Sequence, residues 1–190
     1  MAKTTRQRII TAFFRLAEKE PLRSNFSFSE IAKEAGIARQ TIYRNHYNSS
    51  EEIILDIHQE IDHKISSRLA HFEGNGKEAI AFFASEIIPL LYQDKLWLRY
   101  LYSTAADPTW RPFLKRHYRH WLSQHLHING NMADLDQQLA LDIVVTTMLA
   151  IIESWITQPV PVPPELFGEQ FKKIVGHALV DFVSEDEKDS

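Results

Sequence analysis

The stretch Ser27–Tyr47, SFSEIAKEAGIARQTIYRNHY, decides the fold of this 190-residue chain. It opens with Ser27 and Glu30 in the S-x-x-E pattern, in which the serine hydroxyl and the glutamate carboxylate cap each other's backbone amides at a helix start. Gly36 follows the last apolar position, where glycine ends a helix in the left-handed conformation without steric cost. The stretch therefore predicts two short helices joined by a glycine turn, a helix-turn-helix.

The second short helix is predicted to begin near Ala38, to bury Ile37 and Ile42, and to expose polar side chains. Exposed groups of this kind form hydrogen bonds with phosphates and with base edges in a major groove. Phosphate contacts set the register of a protein on DNA, whereas base contacts read its sequence. The candidates for base edges are Arg39, Gln40 and Thr41, and the candidates for phosphates are Tyr43, Arg44, Tyr47, Ser27, Ser29, Lys3 and Arg6.

The chain resembles the TetR family of bacterial transcription regulators. The resemblance lies in the run I-A-x-x-A-G-I-x-x-x-T-I-Y from Ile31, in the amphipathic helix before it, and in the acidic helix start SSEEIILDI from Ser49. It is specific over about the first 60 residues, and the remainder fits by length and helical pattern. It implies a ligand-responsive repressor that binds a palindromic site on double-stranded DNA as a homodimer, with a small-molecule effector pocket in its C-terminal part.

Three positions depart from the family pattern. Tyr47 lies four residues after Tyr43, one more than the pattern has, which predicts a longer or distorted end to the second short helix. Ser49 or Ser50 stands where the pattern has a lysine, so one expected phosphate contact is absent. Ala38 stands at the usual capping serine, which costs about 1 kcal/mol of helix-start stability.

Charge is divided unevenly along the chain. Residues 1–50 carry nine Lys or Arg and four Asp or Glu, net +5, and residues 51–190 carry twelve and twenty-one, net −9. A basic end on an acidic remainder attracts a polyanion at that end and repels it elsewhere. The alternative explanation of this charge distribution is that the charged residues only form a solvated surface. A second function also stays open, an all-α interaction module or co-regulator whose helix-turn-helix binds protein, but the charge division favours DNA.

Helical periodicity and its breaks predict an all-α fold of about nine helices. The predicted units are a DNA-binding domain over residues 1–49, here called the head, an effector-binding and dimerisation domain over 50–184, called the body, and an acidic tail over 185–190. A long helix from about Ser50 to Phe72 links head to body. The other helices are expected at about 4–20, 77–92, 95–103, 110–126, 132–157 and 164–184.

The last two predicted helices, about 132–157 and 164–184, indicate a homodimer. Leu139–Ile156 is apolar almost all round, and the final helix has a broad apolar stripe from Phe167 to Val183. One face against the core and one against a partner would cover both helices, as in a four-helix bundle between two subunits. A monomer that buries them internally is the alternative.

Aromatic residues concentrate in the middle of the chain, where they form either core or an effector pocket. Core is the more frequent role of aromatics at helical spacing. Glu86, Asp142 and Glu153 lie within apolar segments, where each would meet a cationic ligand or pair with a neighbouring residue. The candidate pocket residues are Phe83, Trp97, Tyr100, Trp110, Tyr118, Trp121 and Trp155.

No motif predicts catalysis, a metal or a cofactor. The chain has no cysteine, no H-E-x-x-H, no P-loop and no G-x-S-x-G, and His117, His120, His125 and His127 are interpreted as a solvated surface. It also shows neither a signal peptide nor a run of about 18 apolar residues. We therefore expect a non-enzymatic cytoplasmic protein without a membrane partner.

Overall fold

The computed structural model describes residues 4–45, 47–74, 76–125 and 136–177. Throughout these ranges the chain is all-helical without strands, which confirms the predicted fold class. Lys3, residues 126–135 and the acidic tail lie outside them. The helices are α1 (Thr5–Lys19), α2 (Phe28–Ala35), α3 (Arg39–Asn45), α4 (Ser50–Leu69), α5 (Gly76–Phe82), a π-helical turn (Phe83–Ile87), α6 (Ile88–Gln93), α7 (Lys95–Ser103), α8 (Trp110–His125), α9 (Gln137–Ile156) and α10 (Pro164–Val175).

The predicted pair of short helices is present as α2 and α3. The Ser27 amide donates to the Glu30 carboxylate at 2.9 Å, and the Glu30 amide donates to the Ser27 hydroxyl at 3.3 Å, so the capping box is confirmed. Gly36 ends α2 with a φ of +63°. Arg8 of α1 then donates from its guanidinium to the carbonyls of Ala35 and Gly36, both at 2.9 Å. These carbonyls have no partner inside the helix, so Arg8 both caps α2 and ties it to α1.

Helix α4 extends from the core of the head into the core of the body. Its Ile53 and Ile57 are fully buried beside α1 to α3, and Ile61, Ile65 and Leu69 continue the same buried face into the body. The helix ends at Leu69, close to the predicted Phe72. Buried side chains of α1 to α4, the π-helical turn and α6 to α10 belong to one hydrophobic cluster, and Leu122, Leu141 and Val145 form a second, smaller one.

Helices α5 and α6 join through the π-helical turn, so the helices of the described ranges form nine continuous segments. A single regular helix was predicted over 77–92. At the turn Gly168 of α10 packs so closely that a Cβ there would lie 3.1 Å from the carbonyl oxygen of Ala84. The close contact with α10 thus occurs at the π-helical turn. The spacing of apolar residues in the sequence indicates neither the contact nor the turn.

Helix α10 ends earlier than predicted. It stops at Val175 with Gly176 as its C-cap, so a helix unbroken from 164 to 184 is wrong at this glycine, whose backbone entropy disfavours a helix interior. Residues 178–184 lie outside the described ranges. Within the helix, Phe167 stacks on Trp155 of α9 with ring centroids 4.0 Å apart.

Helix α9 begins at Gln137, and the predicted start at 132 lies outside the described residues. The Asp136 carboxylate caps it by accepting from the amides of Gln138 and Leu139, both at 3.0 Å. Within the described ranges it is the one helix long and apolar enough to cross a membrane by length and composition, a criterion that core helices of soluble proteins also meet. Only 28% of its apolar window is buried, and the remaining positions are half-buried or exposed.

Replacing Gly36 tests the turn between α2 and α3. A Cβ at Gly36 would meet only ordinary contact, 3.5 Å from an Arg8 nitrogen, so the penalty lies in the positive φ. We expect Gly36→Ala to lower the free energy of unfolding by about 1–2 kcal/mol and Gly36→Asn by less, since asparagine enters the left-handed region more readily. Urea unfolding would measure both, and an alanine variant as stable as the asparagine variant would contradict this explanation.

Candidate nucleic-acid interface and ligand cavity

Helix α3 is anchored in the head by one buried residue and presents a polar, cationic surface to solvent. Ile42 is fully buried in the head, whereas Arg39, Gln40, Tyr43 and Arg44 are exposed. The helix contains two arginines and no Asp or Glu. Four of the predicted contact residues therefore share one outward surface.

Tyr43 is positioned by contacts on both sides. Its ring packs edge-on against Phe28 of α2, with centroids 4.9 Å apart, and its hydroxyl accepts from Arg39 at 2.8 Å. The Arg39 guanidinium also lies over the Tyr43 ring. Thr41 is half-buried and its amide donates to the Ala38 carbonyl at 2.9 Å. Arg39 and Tyr43 thus form a pre-arranged pair at the surface.

Two predicted phosphate contacts, Arg6 and Tyr47, are engaged inside the protein instead. Arg6 donates to Asp56 at 2.8 and 2.9 Å and to Glu60 at 2.6 Å, and the Tyr47 hydroxyl donates to the same Asp56. Hydrogen bonding to Asp56 raises the pKa of Arg6, and burial, followed by the bond to Asp56, raises that of Tyr47. Tyr47 is 5% exposed and the Arg6 side chain is 31% exposed, and both bind acidic side chains of α4.

The extra residue before Tyr47 has a structural consequence. The Tyr47 amide donates to the carbonyl of Ile42 at 3.1 Å, a separation of five residues where an α-helix would use four. The hydrogen bonding at the end of α3 therefore departs from α-helical spacing, and Tyr47 itself lies in the core. Distortion at this point was predicted, but the inward direction of Tyr47 was not.

The two serine candidates lie near this surface at the start of α2. Both Ser27 and Ser29 are exposed. The Ser27 hydroxyl donates to Glu30 at 2.7 Å, so it already serves the capping box. Ser29 is therefore the better placed of the two for a ligand.

Both acidic side chains of α2 are paired with neighbouring cations. Arg23 contacts Glu30 at 2.8 Å, and Lys19 contacts Glu34 at 2.7 Å. Hydrogen bonds from Arg23 and then Ser27 lower the pKa of Glu30 to about 2. These pairs offset negative charge on α2 and leave α3 as a cationic edge of the head.

A buried His–Asp pair joins the middle of α4 to the segment before α8. His58 and Asp107 are 5% and 3% exposed, and His58 Nε2 is hydrogen-bonded to Asp107 Oδ2. Asp107 also accepts from the Thr109 amide at 2.8 Å and from its hydroxyl at 2.6 Å. Burial alone would raise the pKa of Asp107, but the bonds from His58 and Thr109 outweigh it and hold the pKa below its usual value.

A cavity of about 50 Å³ lies in the body among α4, the π-helical turn, α6, α7, α8 and α9. Its wall contains four of the seven candidate pocket residues, Phe83, Trp110, Tyr118 and Trp121, together with Tyr102, which was not among the predicted pocket residues. Ile61, Ile65 and Leu69 of α4 form part of the same wall. The cavity therefore touches the helix that also enters the head.

The other three aromatic candidates have packing roles away from this cavity. Trp97 and Tyr100 of α7 pack on Phe14 of α1, with ring centroids 6.0 and 5.2 Å from it. Trp155 is 2% exposed and donates from its indole nitrogen to the Val162 carbonyl at 2.9 Å. Helical spacing alone did not separate these core aromatics from those that line the cavity.

None of the three acidic candidates lines the cavity. The structure favours the alternative in which each carboxylate pairs with cations of a neighbouring helix, and no described trio of His, Asp or Glu is placed to hold a metal ion. The pairs are Glu86 with Arg68 at 2.7 Å, Asp142 with Lys115 at 2.8 Å, and Glu153 with Arg111 at 3.0 Å.

No protein-family model, curated protein or solved structure matches the chain.

The His58–Asp107 pair predicts a specific acid sensitivity. Because the folded-state pKa of Asp107 lies below the unfolded value near 4, the pair stabilises the fold above about pH 4, and this stability is lost as the pH falls through the folded pKa. We expect Asp107→Asn to cost about 1–3 kcal/mol at pH 7 and progressively less under acid.

Urea unfolding between pH 7 and pH 3 would measure this difference. The matched control is Glu73→Gln, which changes an exposed acid outside the helices and should stay close to wild type at every pH. A deficit in Asp107→Asn that stays constant over the whole range would show that the carboxylate charge is not what stabilises the fold.

Proposed function

We propose that this chain is a TetR-type, ligand-responsive transcription regulator that binds a palindromic DNA operator as a dimer in the cytoplasm and acts as a repressor. The observation that carries the proposal is the exposed surface of α3. It combines Arg39, Gln40, Tyr43 and Arg44 on one short helix without an acidic residue, at the basic end of an otherwise acidic chain.

Each side chain on this surface has chemistry suited to one part of duplex DNA. A glutamine can bond an adenine edge through two hydrogen bonds, and an arginine can bond a guanine edge or a phosphate. Gln40 and Arg39, with Thr41, occupy the first turn of α3, the end of a recognition helix that usually meets the bases. Tyr43 and Arg44, one turn later, are assigned to phosphates, as is Ser29 of α2.

The proposal leaves Tyr47 and Arg6 out of the DNA contacts. Their shared partner Asp56 lies on α4, so they fix the orientation of the head on this helix. Their role is to position α3, which contacts the DNA.

The dimer proposal rests on the outward side of α9 and α10. Leu139, Ile143 and Val144 are 51, 50 and 38% exposed, and Leu166 of α10 is 59% exposed. Thr146, Thr147, Ala150 and Ser154 continue the outward side of α9 and are small enough for a second helix to approach closely. An apolar surface of this size on two adjacent helices favours a two-fold partner that buries it.

Ligand response is supported by the position of α4. Its first half packs in the head and its second half lines the cavity, so a compound that changes the cavity wall also changes the orientation of the head. In a dimer this changes the separation of the two α3 helices. Effector and DNA would then each shift the population between a DNA-fitting and a non-fitting state.

Phosphate binding by Arg44 predicts a change in salt dependence. Each phosphate contact releases about one counterion, so we expect Arg44→Ala to lower the salt slope of binding to a random-sequence duplex by about one unit. Arg116→Ala, which removes an exposed arginine from α8 in the body, should leave the slope unchanged. Fluorescence anisotropy at about 50–200 mM salt would measure both, and equal slopes for the two variants would remove Arg44 from the interface.

Base reading by Gln40 predicts a loss of specificity rather than of general affinity. On the duplex that the wild type prefers, Gln40→Ala should weaken binding by about 1–3 kcal/mol, whereas on random duplex its binding should match that of the wild type. Competition between the two duplexes measures this ratio. An equal loss on both would mean that Gln40 does not read a base.

The exposed apolar face of α9 predicts a dimer, and a charged side chain introduced on this face should disrupt it. Ile143→Glu places carboxylates in the centre of the proposed interface, so we expect sedimentation equilibrium to shift from a dimer to a 22.1 kDa monomer at micromolar concentration. Leu22→Glu, at a head position that is 94% exposed, is the matched control and should remain dimeric. A wild-type protein that sediments as a monomer would contradict the dimer.

A further inference from the structure

The wall of the body cavity indicates the chemical class of the compound that fits it. We propose that the effector is an uncharged aromatic compound with a single hydrogen-bonding group, such as a phenol, and that Tyr118 binds this group. The inference deepens the proposed function, because it concerns the effector of the same cavity.

The first argument is the absence of charge around the cavity. Every described residue of its wall is aliphatic, aromatic or methionine. The nearby carboxylates Glu86 and Glu153 are committed to arginines on neighbouring helices. Asp62, the carboxylate that acts on Tyr118, contacts His117 at 2.8 Å. A charged compound would lose its hydration in this wall without gaining a counter-ion, which is a large penalty in an apolar environment.

The second argument is the shape and size of the wall. Phe83, Tyr102, Trp110 and Trp121 surround the cavity with ring surfaces, and rings pack well against rings in offset or edge-on contacts. At about 50 Å³ the cavity is smaller than the roughly 150 Å³ that accommodates benzene in an apolar core. A one-ring compound must therefore separate α4 from α8 and α9 as it enters, so its binding is coupled to the position of α4.

The third argument is the hydroxyl of Tyr118. This residue belongs to the cavity wall, and its hydroxyl is buried with no hydrogen-bond partner among the residues that the structure describes. The indole nitrogen of Trp110, in the same wall, is likewise buried without a partner. A buried polar group without a partner is costly, and a compound that supplies one recovers that free energy. The wall therefore favours an apolar ring that carries a hydrogen-bonding oxygen.

Four compounds of one shape test the class directly. We expect isothermal titration calorimetry at pH 7 to detect 4-methylphenol, with toluene binding about tenfold more weakly and with no binding of the anion 4-methylbenzoate or the cation 4-methylbenzylammonium. In the Tyr118→Phe variant the preference of 4-methylphenol over toluene should disappear, while toluene binding persists. Tighter binding of either ion, or an unchanged preference in Tyr118→Phe, overturns the proposal.

A second pair of variants locates the binding. Val145 is 1% exposed in the cavity wall, so Val145→Phe should fill the space and weaken 4-methylphenol binding about tenfold or more. If circular dichroism shows that this variant does not fold, Leu149→Phe serves in its place. Leu96→Phe, at a 63% exposed position of α7, is the control and should bind as the wild type does. Equal binding by the filled and control variants would place the compound elsewhere and refute the inference.

These titrations contain no DNA, so the two proposals fail separately. If the protein binds 4-methylphenol with the expected selectivity but does not bind DNA, the proposed ligand class is supported and the proposed function as a transcription regulator is refuted. If the protein binds DNA in a salt-dependent manner but binds neither 4-methylphenol nor toluene, the proposed function is supported and the proposed ligand class is refuted.

Discussion

The buried face of helix α4 is the constraint on which the rest of the structure depends. Ile53 and Ile57 are fully buried in the hydrophobic cluster that also contains the buried side chains of α1 to α3, and Ile61, Ile65 and Leu69 line the cavity among the helices of the body. A rigid helix with both halves buried cannot rotate or slide without disturbing both ends, because protein interiors are close-packed. The position of the head is therefore set by the packing of the body.

Polar contacts fix the same helix against rotation. Asp56 holds Arg6 and Tyr47 on the side of the head, and His58 holds Asp107 on the side of the body. Because these groups are one turn apart or less on α4, a small movement of the helix strains both sets of bonds. A coupling free energy of about 1–3 kcal/mol, enough to change an affinity about 5–150-fold, would need only partial rearrangement of such contacts.

Local features were predictable from the sequence, and long-range ones were not. The Ser27–Glu30 capping box, the glycine turn at Gly36 and the burial of Ile42 each depend on residues within a few positions of one another, where backbone geometry dictates the outcome. The Arg6–Asp56 pair joins residues 50 positions apart. Arg6 was predicted to contact a phosphate because of its charge and its position near the N-terminus. The sequence around Arg6 does not show that a distant carboxylate will pair with it.

The cavity illustrates the same limit. Phe83, Trp110, Tyr118 and Trp121 were selected together with Trp97, Tyr100 and Trp155 because all are aromatics on apolar helix faces. Which of them meet around one space depends on the crossing of six helical elements and on the π-helical turn at Phe83–Ile87. The close approach of Gly168 to Ala84 accompanies that turn, and it is a tertiary contact without a local signal.

The most direct test of the central claim is selection by the purified wild-type protein from a randomised duplex pool at two salt concentrations, followed by sequencing of the retained DNA. A dimer that presents two copies of α3 should enrich a palindrome whose half-sites are centred about 34–36 Å apart, or a multiple of that distance. Raising the salt should lower retention while preserving the enriched sequence. Retention without enrichment, or no retention at either salt, would contradict the claim and favour a protein partner for α3.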